Sequence, residues 1–133
     1  MKKDIHIPAV KDIGVAVVKE LDEGEEVWNV YLVNFKEERI ENVLVSSKGY
    51  GTINDKQKKT SNLNHFLGDI NPRAFHLIEP ISEEVFGLSN EYFVTFYIKG
   101  VIHDKKYVFV PEAIQEAHFT KIEVLGLKGV LIK

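Results

Sequence analysis

The densest run of apolar residues lies between positions 91 and 110. Every residue over 92–98 is β-branched or aromatic, the types that fit a pleated, half-buried surface. With a period of two, one face of this segment carries no charge and must be covered by other parts of the chain; it consists of Tyr92, Val94, Phe96 and Ile98. The turn signal Lys99-Gly100 leads into a second run of strand formers. The pattern therefore predicts a long antiparallel hairpin on which the other strands pack.

Shorter patterns of the same kind lie on both sides of this hairpin. They predict strands over residues 4–10, 14–18, 27–35, 40–46, 63–70 and 73–78, with one or two more within 119–133. Pro8 makes the first of these an edge-like strand. Short helical turns are predicted after Ser82, an N-cap residue followed by acids, and over residues 111–117, where Pro111 takes the first helical position.

Several short strands with only one or two single-turn helices predict an all-β fold, an antiparallel β-sandwich built as a single domain over residues 1–133. An immunoglobulin-like sandwich is favoured by two aromatic residues. A helical turn leads into Tyr92, as at the tyrosine corner of those folds, and Val94 then takes the place of their second disulfide cysteine. Trp28 would be the core tryptophan of the third strand.

The apolar pattern stops over residues 47–62, which predicts a long surface loop, with a short hairpin within it as an alternative. Its lysines outnumber Asp55, so the segment is locally basic, and a tyrosine lies between two glycines. Glycines let a backbone approach a phosphate, lysines neutralise it, and tyrosine can stack on a base. The candidate ligand or nucleic-acid residues are Lys48, Tyr50, Lys56, Lys58 and Lys59.

Composition excludes several classes of protein. A hydrophobic content of 44% and a charged content of 28% are ordinary for a globular domain, and a net charge of −3 by itself points to neither nucleic acid nor membrane. No apolar run reaches the length of a membrane span, and the first residues lack the apolar core of a signal peptide. Because the chain has no cysteine, a reducing compartment is favoured, and we expect a cytoplasmic protein.

Catalytic signatures are missing from the sequence. The five histidines form no metal-binding spacing, and no serine lies in a nucleophile-elbow pattern; the histidines are His6, His65, His76, His103 and His118. Acidic residues cluster in turns, where solvated charge protects strand edges. The sequence therefore predicts no catalytic residues, no metal and no cofactor, and it favours a protein that is not an enzyme.

Several segments resemble a group of small bacterial proteins without an established activity, some of which are labelled as the α subunit of phenylalanyl-tRNA synthetase. The resemblance rests on residues 28–34, 40–50, 90–96 and 129–131. The class II synthetase core needs a longer chain and arginine-bearing motifs, whereas this chain has two arginines, Arg39 and Arg73, outside any such context. Because the group has no established activity, the resemblance supplies no functional residues.

Three hypotheses about function follow. The first is a non-enzymatic interaction or structural module with a protein partner, which includes self-association as a homodimer. The second is nucleic-acid or phosphate-ligand binding through the basic segment 48–59, and the third is a small hydrolase or ligand-pocket protein. The apolar final strand, up to Ile132, either completes a sheet internally or pairs with another copy of the chain.

Overall fold

The computed structural model describes residues 8–133 as two packed antiparallel sheets of five strands each. The strands are β1 (Ile13–Asp22), β2 (Glu25–Asn34), β3 (Ile40–Ile53), β4 (Lys56–Lys59), β5 (Leu63–Ile70), β6 (Ala74–Ile81), β7 (Ser89–Ile98), β8 (Val101–Phe109), β9 (Thr120–Ile122) and β10 (Leu127–Ile132). The first sheet has the order β6-β2-β1-β10-β9. The second has the order β4-β3-β7-β8, and β5 pairs with β3 on the same side as β4. The predicted all-β antiparallel sandwich is confirmed.

The core lies between the two sheets and follows the period-two pattern of the strands. Val15, Val17, Val30 and Leu32 point inward from the first sheet and are fully buried. The second sheet contributes larger inward side chains; these are Val43, Val45, Tyr92, Val94, Phe96, Tyr107 and Phe109. The predicted hairpin is β7–β8, joined at Lys99-Gly100 as expected, and it supplies most of the buried aromatic residues.

The loop predicted over residues 47–62 is wrong for most of its length. β3 continues to Ile53 and β4 returns from Lys56, so the segment is a tight hairpin, which was the alternative. Asn54 and Asp55 form its two-residue turn, with φ of 52° and 63°. Such turns need positive φ at both positions, which asparagine and aspartate adopt more readily than most residues. The hairpin is polar because β4 lies at the edge of the second sheet with all four of its residues exposed.

The helical turn predicted over residues 111–117 is also wrong in its position. Only Glu116–His118 form a 3₁₀ turn, because Glu112 has a φ of 66° and Ile114 is drawn into the core. The turn predicted after Ser82 is confirmed: Glu83–Val85 form a 3₁₀ turn, and the Ser82 hydroxyl accepts the Glu84 N–H at 3.3 Å. Of the predicted strand 4–10, residues 4–7 lie outside the described residues and residues 8–10 form no strand.

The two marker residues of the immunoglobulin-like comparison both lie in the core, but in opposite sheets. Trp28 belongs to the first sheet, where its ring meets Phe86 and Phe119 edge to face, while Tyr92 belongs to the second sheet. The Tyr92 hydroxyl donates to the carboxylate of Glu79 and not to an upstream backbone carbonyl. These residues therefore give the immunoglobulin-like comparison no support, and the β-sandwich is the statement that stands.

The last strand completes a sheet internally. β10 lies between β1 and β9, with Val130 opposite Val17 and Leu127 opposite Ile122. Gly129 is required there for close packing, since a Cβ atom at this position would lie 2.6 Å from the Val17 carbonyl oxygen. Within residues 8–133, no helix has both the length and the apolar character needed to cross a membrane.

Two buried tyrosines predict how stability changes at alkaline pH. Burial raises the pKa of Tyr92 and Tyr107 above the ordinary value of 10.0, and at Tyr92 the nearby Glu79 charge adds to this effect. Above pH 10 the unfolded chain releases tyrosine protons that the folded chain retains. The free energy of unfolding should therefore fall as pH rises, by up to about 1.4 kcal/mol per pH unit for each tyrosine.

Denaturant unfolding of Tyr107→Phe between pH 8 and pH 11 tests this prediction. The variant loses the hydrogen bond from Tyr107 to the Ile13 carbonyl, so it should be less stable by ~1–3 kcal/mol at neutral pH. Its loss of stability with rising pH should be shallower than that of the wild type. Identical alkaline slopes would show that Tyr107 does not keep its proton in the folded state.

Candidate functional site

The five residues predicted as a binding site are all on the β3–β4 hairpin, but the structure does not gather them into one site. Tyr50 pairs with Lys59, which places both side chains on the same face as Lys48. Lys58 pairs with Gly51 and Lys56 with Ile53, on the opposite face of the hairpin. The basic segment is therefore a two-sided ribbon with lysines on both sides.

A carboxylate lies within the first of these groups. Glu91 on β7 is 8% exposed; it accepts a hydrogen bond from the Tyr50 hydroxyl at 3.3 Å and lies 3.7 Å from the Lys48 ammonium. Burial, followed by the charge of Glu91, raises the pKa of the Tyr50 hydroxyl. The Lys48 ammonium also lies 5.8 Å from the centre of the Tyr50 ring. Lys48 and Tyr50 are therefore engaged internally, whereas the lysines of β4 are exposed.

A second polar cluster was not predicted from the sequence. It centres on Glu79 of β6, whose side chain is 13% exposed. Strand β6 shifts its register against β2 at Val30/Tyr31, so that Glu79 lies opposite the inward-facing Val30. Without this bulge, the alternation that points Ile78 inward would turn Glu79 to the outside. The bulge thus places a carboxylate between the two sheets.

Three strands of the second sheet donate hydrogen bonds to this carboxylate. The Ser47 hydroxyl on β3 and His65 Nε2 on β5 both lie 2.7 Å from Glu79 Oε1, and the Tyr92 hydroxyl on β7 lies 3.0 Å from Oε2. Because an ionised carboxylate only accepts, Nε2 of His65 carries the proton in this contact. One side chain of the first sheet is therefore bound to three strands of the second.

The cluster forms the floor of a pocket of about 220 Å³ at one end of the sandwich. Its walls come from the start of β5, the end of β6 and the turn before β7; they include Thr60, Ser61, Leu63, Pro80, Ile81 and Asn90. Lys48 also borders the pocket, but its ammonium is bound to Glu91 on the outer face of the sheet. The pocket therefore has an acidic, oxygen-rich floor and partly aliphatic walls.

The order of the groups differs from that of a hydrolase triad. In such a triad the imidazole lies between the hydroxyl and the carboxylate and removes the hydroxyl proton. Here the carboxylate of Glu79 lies between Ser47 and His65, and both donate to it. Within residues 8–133, no three histidine or acidic side chains come together as metal ligands. The arrangement suits the binding of a donor group better than nucleophilic catalysis.

A third feature is the outer face of the second sheet, which carries large apolar side chains. The exposed fractions are 69% for Phe66, 42% for Leu44, 41% for Ile102 and 38% for Phe93. Leu44 lies opposite Phe66, and Ile102 lies opposite the half-buried Tyr97, so these residues occupy neighbouring strands of one surface. We call Leu44, Phe66, Phe93, Tyr97 and Ile102 the outer apolar face.

Sequence analysis missed the Glu79 cluster because its members come from four strands and are up to 45 positions apart. One local signal was present. Glu79-Pro80 interrupts an apolar strand, and a proline next to a charged residue in a strand favours an edge position or a bulge. That signal predicts a local irregularity, but it does not indicate which residues face the carboxylate.

No family model matches the sequence, and no curated protein is detectably similar to it.

The Glu79 contacts predict a large effect on stability. Glu79→Ala leaves the hydroxyls of the buried residues Ser47 and Tyr92 without their acceptor, so the free energy of unfolding should fall by about 3 kcal/mol. Denaturant unfolding followed by tryptophan fluorescence measures this. Glu84→Ala is the matched control, because Glu84 is an exposed acid on the neighbouring turn and its loss should change stability by less than ~0.5 kcal/mol. Equal effects in both variants would contradict the role of Glu79.

Proposed function

We propose that this protein is a non-enzymatic interaction module that pairs with a second copy of itself through the outer apolar face. The observation that carries the proposal is the exposure of Phe66, Leu44, Phe93 and Ile102 on one surface. A contiguous apolar patch of a few hundred Å² on a protein surface is often functional and commonly marks an interaction site. These four side chains point away from the core, so they do not contribute to the packing between the two sheets.

The edges of the sheets are poor candidates for association. β9 has only three residues, β6 carries Pro80 and a bulge, and the edge strand β8 carries Lys105 and Lys106. β4 is short and lysine-rich, and β5, the other outer strand on that side, pairs irregularly with β3. Short strands, bulges, prolines and charged residues are the devices by which proteins prevent edge-to-edge pairing. Association through a face therefore fits this molecule better than association through strand addition.

A second copy is the partner that best matches the charge of this surface. Charged residues of both signs border the outer apolar face. Lys48 and Lys106 are the basic residues, and Glu91 and Asp104 are the acidic ones. A surface of mixed charge does not select a strongly acidic or basic partner, and it can complement itself in a two-fold arrangement. Four strands of about seven residues give a footprint on the order of 500 Å², so we expect a weak, concentration-dependent dimer.

Light scattering coupled to size-exclusion chromatography tests the dimer. The wild type should approach the dimer mass as concentration rises, and Phe66→Ser with Phe93→Ser should shift the dissociation constant by at least about tenfold. Leu21→Ser is the matched control, because Leu21 is 74% exposed on β1, away from this face, and its loss should leave the mass unchanged. A wild type that stays monomeric at the highest attainable concentration would end the proposal.

A second candidate function, binding of nucleic acid, is favoured by the exposed lysines of β4. Lys56, Lys58 and Lys59 lie within four residues on a rigid hairpin, without an acidic residue among them. A lysine-rich ribbon can neutralise phosphates of a single strand that crosses its edge, where Lys56 and Lys58 lie on one face and Lys59 on the other. The binding would be electrostatic and independent of base sequence.

Salt titration of binding to single-stranded RNA or DNA tests this second candidate. With three phosphates neutralised, the logarithm of the binding constant should fall with a slope of about −2 against the logarithm of salt concentration. Lys56→Glu, Lys58→Glu and Lys59→Glu together should abolish binding. The charge-matched control replaces Lys11, Lys121 and Lys128, which are exposed elsewhere, and should weaken binding much less. Absence of binding at low salt would exclude this function.

A further inference from the structure

The pocket above Glu79 has a composition that selects for one kind of ligand. Its floor is a carboxylate whose Oε2 accepts only the Tyr92 hydroxyl among the described residues, although a carboxylate oxygen can accept two hydrogen bonds. Glu79 lines the pocket, and so does Tyr92. A free acceptor position on a poorly exposed carboxylate favours a ligand that donates hydrogen bonds, above all a charged donor.

The other polar groups of the lining also present oxygen to the pocket. Both described hydrogen bonds of the Asn90 amide nitrogen go to backbone carbonyls, those of Val85 and Leu88, so its Oδ1 remains as the acceptor. Gly49 leaves this oxygen uncovered, because a Cβ there would lie 3.3 Å from Asn90 Oδ1. The Thr60 hydroxyl already accepts the Gly49 N–H and donates to the Ser61 carbonyl. The lining therefore presents carboxylate and amide oxygens as acceptors, together with the Ser61 and Ser82 hydroxyls, which can accept as well as donate.

The charges around the pocket also favour a cationic ligand. Two of the three donors to Glu79 are uncharged hydroxyls, those of Ser47 and Tyr92. The lysine nearest the pocket, Lys48, directs its ammonium to Glu91 at 3.7 Å on the outer face. An anionic ligand would meet the Glu79 carboxylate without a compensating cation from this lysine, whereas a cationic ligand would be attracted.

Size and wall chemistry limit the rest of the ligand. A cavity of about 150 Å³ holds one benzene molecule, so the 220 Å³ here has room for roughly eight heavy atoms. Leu63, Pro80, Ile81 and Val85 supply aliphatic surface beside the polar floor. We propose that this pocket binds a short alkylammonium group, with the ammonium on Glu79 Oε2 and Asn90 Oδ1 and the alkyl chain against Leu63 and Ile81.

The same chemistry has two sources, a free small amine and the side chain of a lysine, and the test separates them. Amide chemical shifts are followed during titration with n-butylammonium and with Nα-acetyl-lysine amide, with n-butanol and butyrate as neutral and anionic isosteres. At least one ammonium compound should saturably shift the amides of Gly49, Ser61 and Glu79, with n-butanol at least about tenfold weaker and butyrate without effect. Tighter binding of butylammonium indicates a free amine, and tighter binding of the lysine compound indicates a lysine side chain.

Variants connect the binding to Glu79. Glu79→Gln keeps the shape but removes the charge, so ammonium binding should weaken at least about tenfold. Glu84→Gln removes an exposed acid from the neighbouring turn and should leave binding almost unchanged. Leu63→Trp places a large ring in the pocket from a half-exposed position and leaves Glu79 intact, so it should abolish binding. It provides a second test if Glu79→Gln fails to fold. Equal binding of butanol, retention of binding in Glu79→Gln or Leu63→Trp, or no saturable shift with either ammonium compound would overturn the proposal.

Discussion

The carboxylate of Glu79 is the contact that most constrains how the two sheets face each other at one end of the sandwich. Apolar contacts between sheets are tolerant of small sliding motions, because one buried methyl group can replace another. A carboxylate that accepts hydrogen bonds from Ser47, His65 and Tyr92 does not tolerate such sliding, since each donor must stay within about 3 Å of a fixed oxygen. Moving β6 away from β3, β5 or β7 would leave a polar side chain of a largely buried residue without its hydrogen-bond partner. The bulge in β6 lies next to Glu79 and turns its side chain inward.

The polar cluster and the outer apolar face are consequences of the same register. Successive side chains of a strand point to opposite faces, so each residue that turns toward Glu79 places its neighbour on the outside. His65 is followed by Phe66, and Tyr92 is followed by Phe93. The inner face of the second sheet is therefore polar at this end, while its outer face exposes phenylalanine. At Phe66 and Phe93 this departs from the usual distribution, in which antiparallel sheets bury apolar residues and expose polar ones, whereas Lys48 and Glu91 on the same outer face follow it. Both proposals, a small cationic ligand inside and a second copy outside, depend on this single alternation.

Sequence patterns predicted the structure best where the burial of one face of a strand determines the local fold. The β7–β8 hairpin, the two-sided strand β2 and the turn at Ser82 all followed from local periodicity and capping chemistry. The pattern fails over residues 47–62, where the polar composition predicts a loop. There the strand pair is held by backbone hydrogen bonds and by the Asn54-Asp55 turn, so it needs no apolar face. Residues 111–117 failed for the opposite reason, since burial of Ile114 overrides a local preference for helix.

The sequence alone determined the fold class, because β-branched and aromatic residues with a period of two can bury their apolar faces only by pairing sheets. It also located the lysines of the basic segment, since charge is a property of composition. It could not determine that those lysines are divided between two faces, because side-chain direction depends on where β3 continues and how β4 pairs with it. Nor could it identify Glu79 as the centre of a polar site. Its three partners come from three other strands, and only tertiary packing, through a one-residue bulge, decides which side of β6 the carboxylate takes.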